Sequence, residues 1–393
     1  MNIALLLPGL GGGGAERAAQ RMGDYWVNQG HQVYYFLGNF GIPPQYRVKG
    51  TIVHTGIQPI YGWRRHSFLL TLDQLRQDAQ KLKALKRRYR IDVSISFMEQ
   101  FGELNILSRA QDKVIVGVRT MLSMRSFSGY IYSPRMIRLL YPRADVVQVL
   151  TEDGAMDMRR VYGVPASKLR IIPNFASCAK KSQDVISRMR RQHYNDHIVI
   201  SIGRLEKVKQ QDHLIRAFSL VVKEIPDAQL VLLGQGILQP YLEKIVASYQ
   251  LQEHVHFAGF VTDMEPFFEK ASVMVMTSHC EGFPNSMIEA MAWGIPVVAS
   301  ESPGGVREIL AGTVQGEKKI KRTAYGILTP ALKTTVSCRH EELQIEERLL
   351  AEAIRKILTD CGLFDALCRA SIQRAQDYAE EGVMKKWKEV IEA

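Results

Sequence analysis

No apolar run among the 393 residues approaches the ~18 that a membrane-spanning helix needs. No Asp-x-Asp occurs, so a metal-bridged diphosphate has no obvious carboxylate ligands and no metal site is expected. The five cysteines (Cys178, Cys280, Cys338, Cys361 and Cys368) all lie in the second half and lack metal-ligand spacing. An odd number suits a reducing compartment better than a disulfide framework. No Asp or Glu lies between Asp24 and Asp73. The acidic ribose ligand that follows a dinucleotide-binding glycine loop by about 20 residues is therefore absent, which counts against a nicotinamide cofactor. The opening MNIALLLPGL lacks the charged start of a signal peptide and reads as a first strand.

Acid is also scarce in the first half as a whole. Residues 1–177 hold 24 Lys and Arg against 12 Asp and Glu, a net of +12, whereas the remainder holds 27 against 28. The whole excess of the +11 chain sits in the first half. Such a surface attracts an anionic membrane, a phosphate-bearing acceptor or a nucleic acid. Residues 81–90 hold six basic residues and no acid, and so does the stretch 113–143. No nucleic-acid motif or cluster of stacking aromatics accompanies them, so no nucleic-acid partner is expected.

The chain is too long for one typical core, so two domains are expected. NIALLLP is a near-continuous apolar run of the kind that forms a buried parallel strand. A glycine loop, a helical stretch to about residue 28, a turn at Gly30 and the strand QVYYFLG complete a βαβ unit. Further strands are predicted at 91–97, 113–118 and 145–151, with a helix over 82–90. The period breaks at 171–184 and then restarts, with strands at 197–203, 229–234, 255–259, 273–278 and 296–300. The reading is an α/β protein of two Rossmann-like, doubly wound parallel-sheet domains facing across a cleft. Residues 1–175 form one domain, 176–375 the other, and a C-terminal helix at about 376–393 packs back on the first. Residues 311–345 read as loop-rich.

In open α/β sheets ligands bind beyond the carboxyl ends of the strands, and the motifs lie there. EGFPNSMIEA follows a strand and carries Glu281 and Glu289, separated by seven residues, across a turn into a helix. A helix start offers backbone N–H groups to a phosphate, here at Asn285, Ser286 and Met287. Glu281 can accept hydrogen bonds from sugar hydroxyls, and Glu289 from a ribose diol. SIGRLEKVKQQ places Arg204 and Lys209 just after Gly203 at another strand end, two cations suited to a diphosphate leaving group. Gly13 and Gly14 follow the first strand, where glycine lets a ligand approach the backbone. Arg119 ends the strand KVIVGV, and the backbone at Val261 can hold a flat base.

Together these segments resemble the retaining glycosyltransferase family 4, of GT-B fold and bacterial surface-glycan type. The likeness rests on G-R-L…K-x-x-D-x-L-I at 203–215, Leu-Leu-Gly at 232–234, Gly259-Phe260-Val261, E-x(7)-E at 281–289, Gly294-Ile-Pro-Val-Val, Gly304-Gly305 and Gly13-Gly14-Ala15-Glu16. The resemblance implies transfer of a hexose or N-acetylhexosamine from a nucleotide-sugar, with UDP as the expected nucleotide, and no cofactor. Arg204 and Lys209 then neutralise the diphosphate, Glu281 holds the transferred sugar, Glu289 the ribose, and Asn285 and Ser286 offer N–H groups. The leaving phosphate itself takes the acceptor proton. Many relatives carry His where Arg119 stands, and Pro-Asn-Gly where this chain has Pro173-Asn174-Phe175.

The resemblance further implies a glycan or polyprenyl-diphosphate-linked glycan acceptor in polysaccharide biosynthesis. The enzyme is expected to be cytoplasmic and peripheral at the inner face of the membrane. Lys83, Lys86, Arg87 and Arg90, three and four apart, are expected to share one helix side against anionic lipid, with Arg64 and Arg65 beside Trp63 adding a contact. A nucleotide-sugar 2-epimerase of the same architecture and a non-catalytic sugar-binding relative are the alternatives.

Overall fold

The computed structural model describes residues 1–11, 13–39, 41, 45, 47–58, 68–124, 134–175, 183–314, 317–333 and 342–393. Trp63, Arg64 and Arg65 lie outside these, as do Gly12, Cys178 and Cys338. The chain divides into two compact units, one of residues 1–174 with 383–393, the other of 175–382.

The first unit runs β1 (Asn2–Leu7), α1 (Gly14–Asn28), β2 (Gln32–Leu37), β3 (Thr51–His54), α2 (Phe68–Arg88), β4 (Val93–Phe97), α3 (Glu99–Leu107), β5 (Lys113–Gly117), α4 (Pro134–Leu140), β6 (Val146–Val149), α5 (Glu152–Arg160) and β7 (Leu169–Ile171). Its seven strands are all parallel, in the order β3-β2-β1-β4-β5-β6-β7. The order reverses direction between β1 and β4. The second unit runs α6 (Gln183–Gln192), β8 (Ile198–Ile202), α7 (Gln211–Glu224), β9 (Gln229–Leu233), α8 (Gln239–Ser248), β10 (Val255–Gly259), α9 (Glu265–Lys270), β11 (Val273–Met276), α10 (Asn285–Ala292), β12 (Val297–Ser300), α11 (Gly305–Leu310), β13 (Lys321–Arg322), β14 (Ile327–Thr329), α12 (Ile345–Thr359) and α13 (Cys361–Gln376). Its order is β10-β9-β8-β11-β12-β14-β13, with the reversal between β8 and β11 and only β13 antiparallel.

The expected pair of doubly wound parallel sheets is therefore present. Most residues of the central strands are apolar because helices cover both faces of a parallel sheet, although β4 buries Ser94 and Ser96 and β6 buries Gln148. Among the described residues of 311–345, part is regular and not loop. The run Ile327-Leu328-Thr329 is buried and extends the second sheet, and exposed Lys321 and Arg322 form its charged edge strand. The C-terminal segment expected at about 376–393 is helix α14 (Glu380–Glu392), which follows α13. Trp387 of α14 meets Trp26 of α1 edge to face at 6.1 Å, and Lys113 Nζ donates to the Val390 carbonyl at 2.6 Å.

The basic end of α2 departs from expectation. Lys86 is not on the surface: it falls on the buried stripe Leu75–Ala79–Leu82, one further step of four along the helix. Its Nζ lies 2.8 Å from Asp112 and donates to Asn105 Oδ1 at 2.7 Å, while Ser94 Oγ donates to Asp112. Burial pushes the Lys86 ammonium down to about 8, against the pull of Asp112. Arg90 lies past the helix end with φ +48°, so the four cations do not form one helix face.

A second buried charge has no such partner. Glu103 of α3 is fully buried, and neither carboxyl oxygen has a hydrogen-bond partner among the described residues. Burial, then Glu99, pushes its carboxyl up to about 8. A carboxyl raised in the folded state stabilises below its unfolded value, and that contribution is lost as pH rises towards 8. Glu103→Gln, which keeps the shape and cannot ionise, is expected to gain roughly 2 kcal/mol on the wild type between pH 5 and pH 7. Urea unfolding at the two pH values measures the difference; a pH-independent difference would refute it.

Candidate active site

In the second unit the reversal between β8 and β11 opens a crevice at the carboxyl ends of these strands, where open α/β sheets bind ligands. The chain leaving β8 passes Gly203 and Arg204, makes a short 3-10 turn at Lys207–Lys209 and enters α7 at Gln211. The chain leaving β11 runs through Glu281 into α10. Two main-chain ties bind these loops: Thr277 Oγ1 donates to the Lys209 carbonyl at 2.8 Å, and His279 N–H to that of Val208 at 2.8 Å. Gln211 Nε2 adds a bond to the Arg204 carbonyl at 3.0 Å.

These ties bring Lys209 and Glu281 together although 72 residues separate them. Lys209 Nζ lies 2.5 Å from Glu281 Oε1, with the two side chains 21% and 12% exposed. Two glycines make the approach possible. A Cβ on Gly234 would stand 2.0 Å from the Gly203 carbonyl oxygen, and one on Gly304 1.8 Å from that of Glu281. Both are main-chain contacts that no rotamer change relieves. Arg204 is different: its side chain is 72% exposed and pairs with Glu206 at 3.0 Å.

α10 starts at Asn285 after Pro284. Asn285 and Ser286 stand at its first two positions, half-buried, with their amides at the positive end of the helix. Met287 N–H is not available to a ligand, because it donates to the Pro284 carbonyl at 3.0 Å. Glu289, one turn further on, is only 7% exposed, a buried carboxylate and not a solvated one. Val261 lies just beyond β10, next to Phe260, which is 42% exposed. A cation and a helix start at one strand edge suit a group carrying two phosphates, and the adjacent carboxylates suit hydroxyls.

The remaining predicted residues belong to the first unit. Gly13 caps α1 without a side-chain bond, and Gly14 opens the helix. The Glu16 carboxylate folds back over Gly13, so closely that a Cβ there would stand 2.2 Å from Glu16 Oε2. Arg119 lies just past β5, with its guanidinium carbon 4.2 Å from the centre of the Phe97 ring and Nη1 3.3 Å from Asn174 Oδ1. Among the described residues no group of three or more His, Cys, Asp or Glu could hold a metal, and no helix is long and apolar enough to cross a membrane. Sequence reasoning missed Thr277 and Gln211. Their role is to hold other residues' main chain, and nothing in their spacing announces it.

Two family models match: "Glycosyltransferase Family 4" over residues 12–180 and "Glycosyl transferases group 1" over residues 184–318. An uncharacterized glycosyltransferase of Methanocaldococcus jannaschii is 30% identical over 293 residues, 71% of this chain and 72% of its own. A Campylobacter jejuni N-acetylgalactosamine-N,N'-diacetylbacillosaminyl-diphospho-undecaprenol 4-alpha-N-acetylgalactosaminyltransferase is 24% identical over 78% of this chain and 82% of its own. Among solved structures, Anabaena HepE in complex with UDP superposes with a TM-score of 0.74 at 19% identity over the full length of both chains. Sucrose-phosphate synthase of Thermosynechococcus elongatus gives 0.75 at 20% identity, over 99% and 98% of the two chains. At these identities the structural matches speak for the fold alone.

Proposed function

The chain belongs to family 4 of the glycosyltransferases, and from that we propose that it transfers a hexose or N-acetylhexosamine from a UDP-sugar, with retention, to a glycan or polyprenyl-diphosphate-linked glycan in polysaccharide biosynthesis. The observation that carries this reading is the Lys209–Glu281 pair at the reversal point of the second sheet, four residues before the start of α10. There the cation and the helix start meet the diphosphate while Glu281 meets the sugar. Lys209 and Arg204 offset the charge that grows on the diphosphate as the anomeric C–O bond breaks. The acceptor oxygen bonds the same face of that carbon, and its proton passes to the leaving diphosphate. Glu289 accepts from the ribose, and the backbone at Val261 holds the base. The second unit binds the donor and the first the acceptor. The polyprenyl-diphosphate class is supported by the Campylobacter relative, whose name states such an acceptor.

The test is release of UDP from a panel of UDP-sugars in the presence of short-chain polyprenyl-diphosphate glycans, with and without EDTA. Turnover with at least one UDP-sugar, unaffected by EDTA, is expected because Lys209 and Arg204 supply the charge that a metal otherwise would. Turnover only with another nucleotide, or only after Mn²⁺ is restored, would refute the corresponding part.

We further propose that the first unit docks on anionic lipid at the inner face of the membrane. With Lys86 buried, exposed Arg87, Arg88 and Arg90 are the cations this end of α2 offers. Each contributes about 1 kcal/mol near an anionic surface, so changing all three to Ser should weaken binding to phosphatidylglycerol vesicles by roughly tenfold to a hundredfold. Raising salt from ~0.1 M to ~1 M should do the same, as the Debye length falls from ~10 Å to ~3 Å. Co-sedimentation insensitive to both would reject this surface.

A further inference from the structure

Arg119 follows β5, one strand from the reversal point of the first sheet, and although the residue is only half-buried, two of its guanidinium nitrogens are shielded from solvent. Its guanidinium lies over the Phe97 ring at the end of β4, the strand that flanks the crevice next to β1. Nη1 is held by Asn174. Nε and Nη2 are both shielded from solvent and have no hydrogen-bond partner among the described residues. These two nitrogens are not an arbitrary pair. They form one edge of the planar guanidinium, the edge whose two parallel N–H bonds match the two oxygens of a carboxylate or phosphate.

The surroundings keep that edge in place. Gly117 makes the room: a Cβ there would stand 2.7 Å from Nη2. The ring beneath and Asn174 at the far edge fix the plane. Burial alone pushes the guanidinium down to about 9, with no neighbouring charge contributing. An arginine that served packing alone would leave two desolvated donors unmet, which costs free energy with no return. Lysine or histidine could not present the same fork.

We propose that Arg119 receives, on its Nε–Nη2 edge, an oxyanion carried by the acceptor, either a carboxylate of an acidic sugar or a phosphate. The assignment of that anion to the acceptor rests on the glycosyltransferase reading above. It deepens that reading by making the acceptor an anionic molecule recognised close to the reversal point, and it gives the arginine a specificity role.

The test is calorimetric titration of the full chain with sodium glucuronate, inorganic pyrophosphate and, as a neutral control, glucose, all at one ionic strength and with UDP saturating. UDP fills the donor's own diphosphate site, so pyrophosphate then reports on Arg119. Saturable binding of glucuronate or pyrophosphate, but not glucose, is expected, and which anion binds distinguishes carboxylate from phosphate. Arg119→Gln should weaken that binding by about tenfold or more, the scale of a lost charge-assisted pair, with UDP affinity unchanged. Arg119→Lys keeps the charge and loses the fork, so it should also weaken the anion several-fold; it decides the matter should the Gln variant fail to fold. Binding of neither anion to the wild type, or equal binding in wild type and variant, would overturn the proposal. Failure of UDP itself to bind would count against the donor reading, while the difference between wild type and variant would still decide the Arg119 site.

Discussion

Lys209→Ala is expected to lower turnover by about 10²–10³, the loss seen when one preorganised stabiliser of developing charge is removed, and Arg204→Ala to fall in the same range. The two losses should differ in kind. Lys209 holds Glu281 at 2.5 Å, so, on the proposed roles, removing it takes a cation from the diphosphate and also frees the carboxylate assigned to the sugar. Arg204 is largely exposed and pairs with Glu206, so its loss removes charge without disturbing Glu281. Lys209→Ala should therefore be strongly non-additive with Glu281→Gln, whereas Arg204→Ala should be close to additive with it, as residues in contact couple and separate ones do not. Turnover of the three single and two double variants with the best UDP-sugar gives both cycles. Near wild-type turnover in both single variants would refute the diphosphate assignment, and additivity of Lys209→Ala with Glu281→Gln would mean that the 2.5 Å pair plays no part in the reaction.

What could be read from the sequence was set by how local the cause is. Strands such as β8, β9 and β10 were legible within a residue or two, because each is a short, mostly apolar run bounded by turn residues. The positions of Glu281, Asn285 and Ser286 were legible because a strand, a turn and a helix start lie within one short segment. The same segment hid the loss of Met287, since an amide bonded back to Pro284 leaves no compositional mark. Lys86 was misplaced because spacing shows which residues share a helix side but not which side faces the core. Its neighbours on that stripe, Leu75, Ala79 and Leu82, carried the answer. The unpaired edge of Arg119 could not be read at all, as it depends on Phe97 and Gly117 at two strand ends and on Asn174 beyond β7. β13 and β14 were missed because two- and three-residue strands have no period to detect.

Glu347→Ala is expected to be the most destabilising of the changes considered, by about 3–5 kcal/mol, the cost of removing one partner from a buried charged cluster. Glu347 lies fully buried at the third position of α12 and accepts from Arg216 Nε at 2.8 Å, from His213 Nδ1 at 2.8 Å and from Gln344 N–H at 2.8 Å. Its loss takes the carboxylate acceptor from Arg216 and His213, both buried on α7, and removes the capping box that starts α12. For a unit of this size the change should lower the melting temperature by roughly 10 °C. Glu347→Gln keeps the volume and one acceptor, so it should fall between the two. The pH dependence separates this cause from lost packing. Burial alone would raise the Glu347 carboxyl, but His213 and Arg216 outweigh it and hold it below the usual range. A carboxyl lowered in the folded state stabilises above its unfolded value, near 4.5, and that stability is lost as pH falls through the folded one. The gap between wild type and Glu347→Ala should therefore be widest near neutral pH and narrow in acid, whereas a packing defect would keep it constant. The consequence reaches the active site, because α7 begins directly after the Lys209 loop. Gln210 Nε2 and His213 Nε2 both bond the Lys333 carbonyl, at 2.8 Å and 2.6 Å, and so tie the end of that loop to the cluster. At temperatures where Glu347→Ala is still folded, its UDP affinity should already be reduced. Unchanged UDP affinity together with a pH-independent stability loss would show that the cluster neither works through charge nor steadies the Lys209 loop.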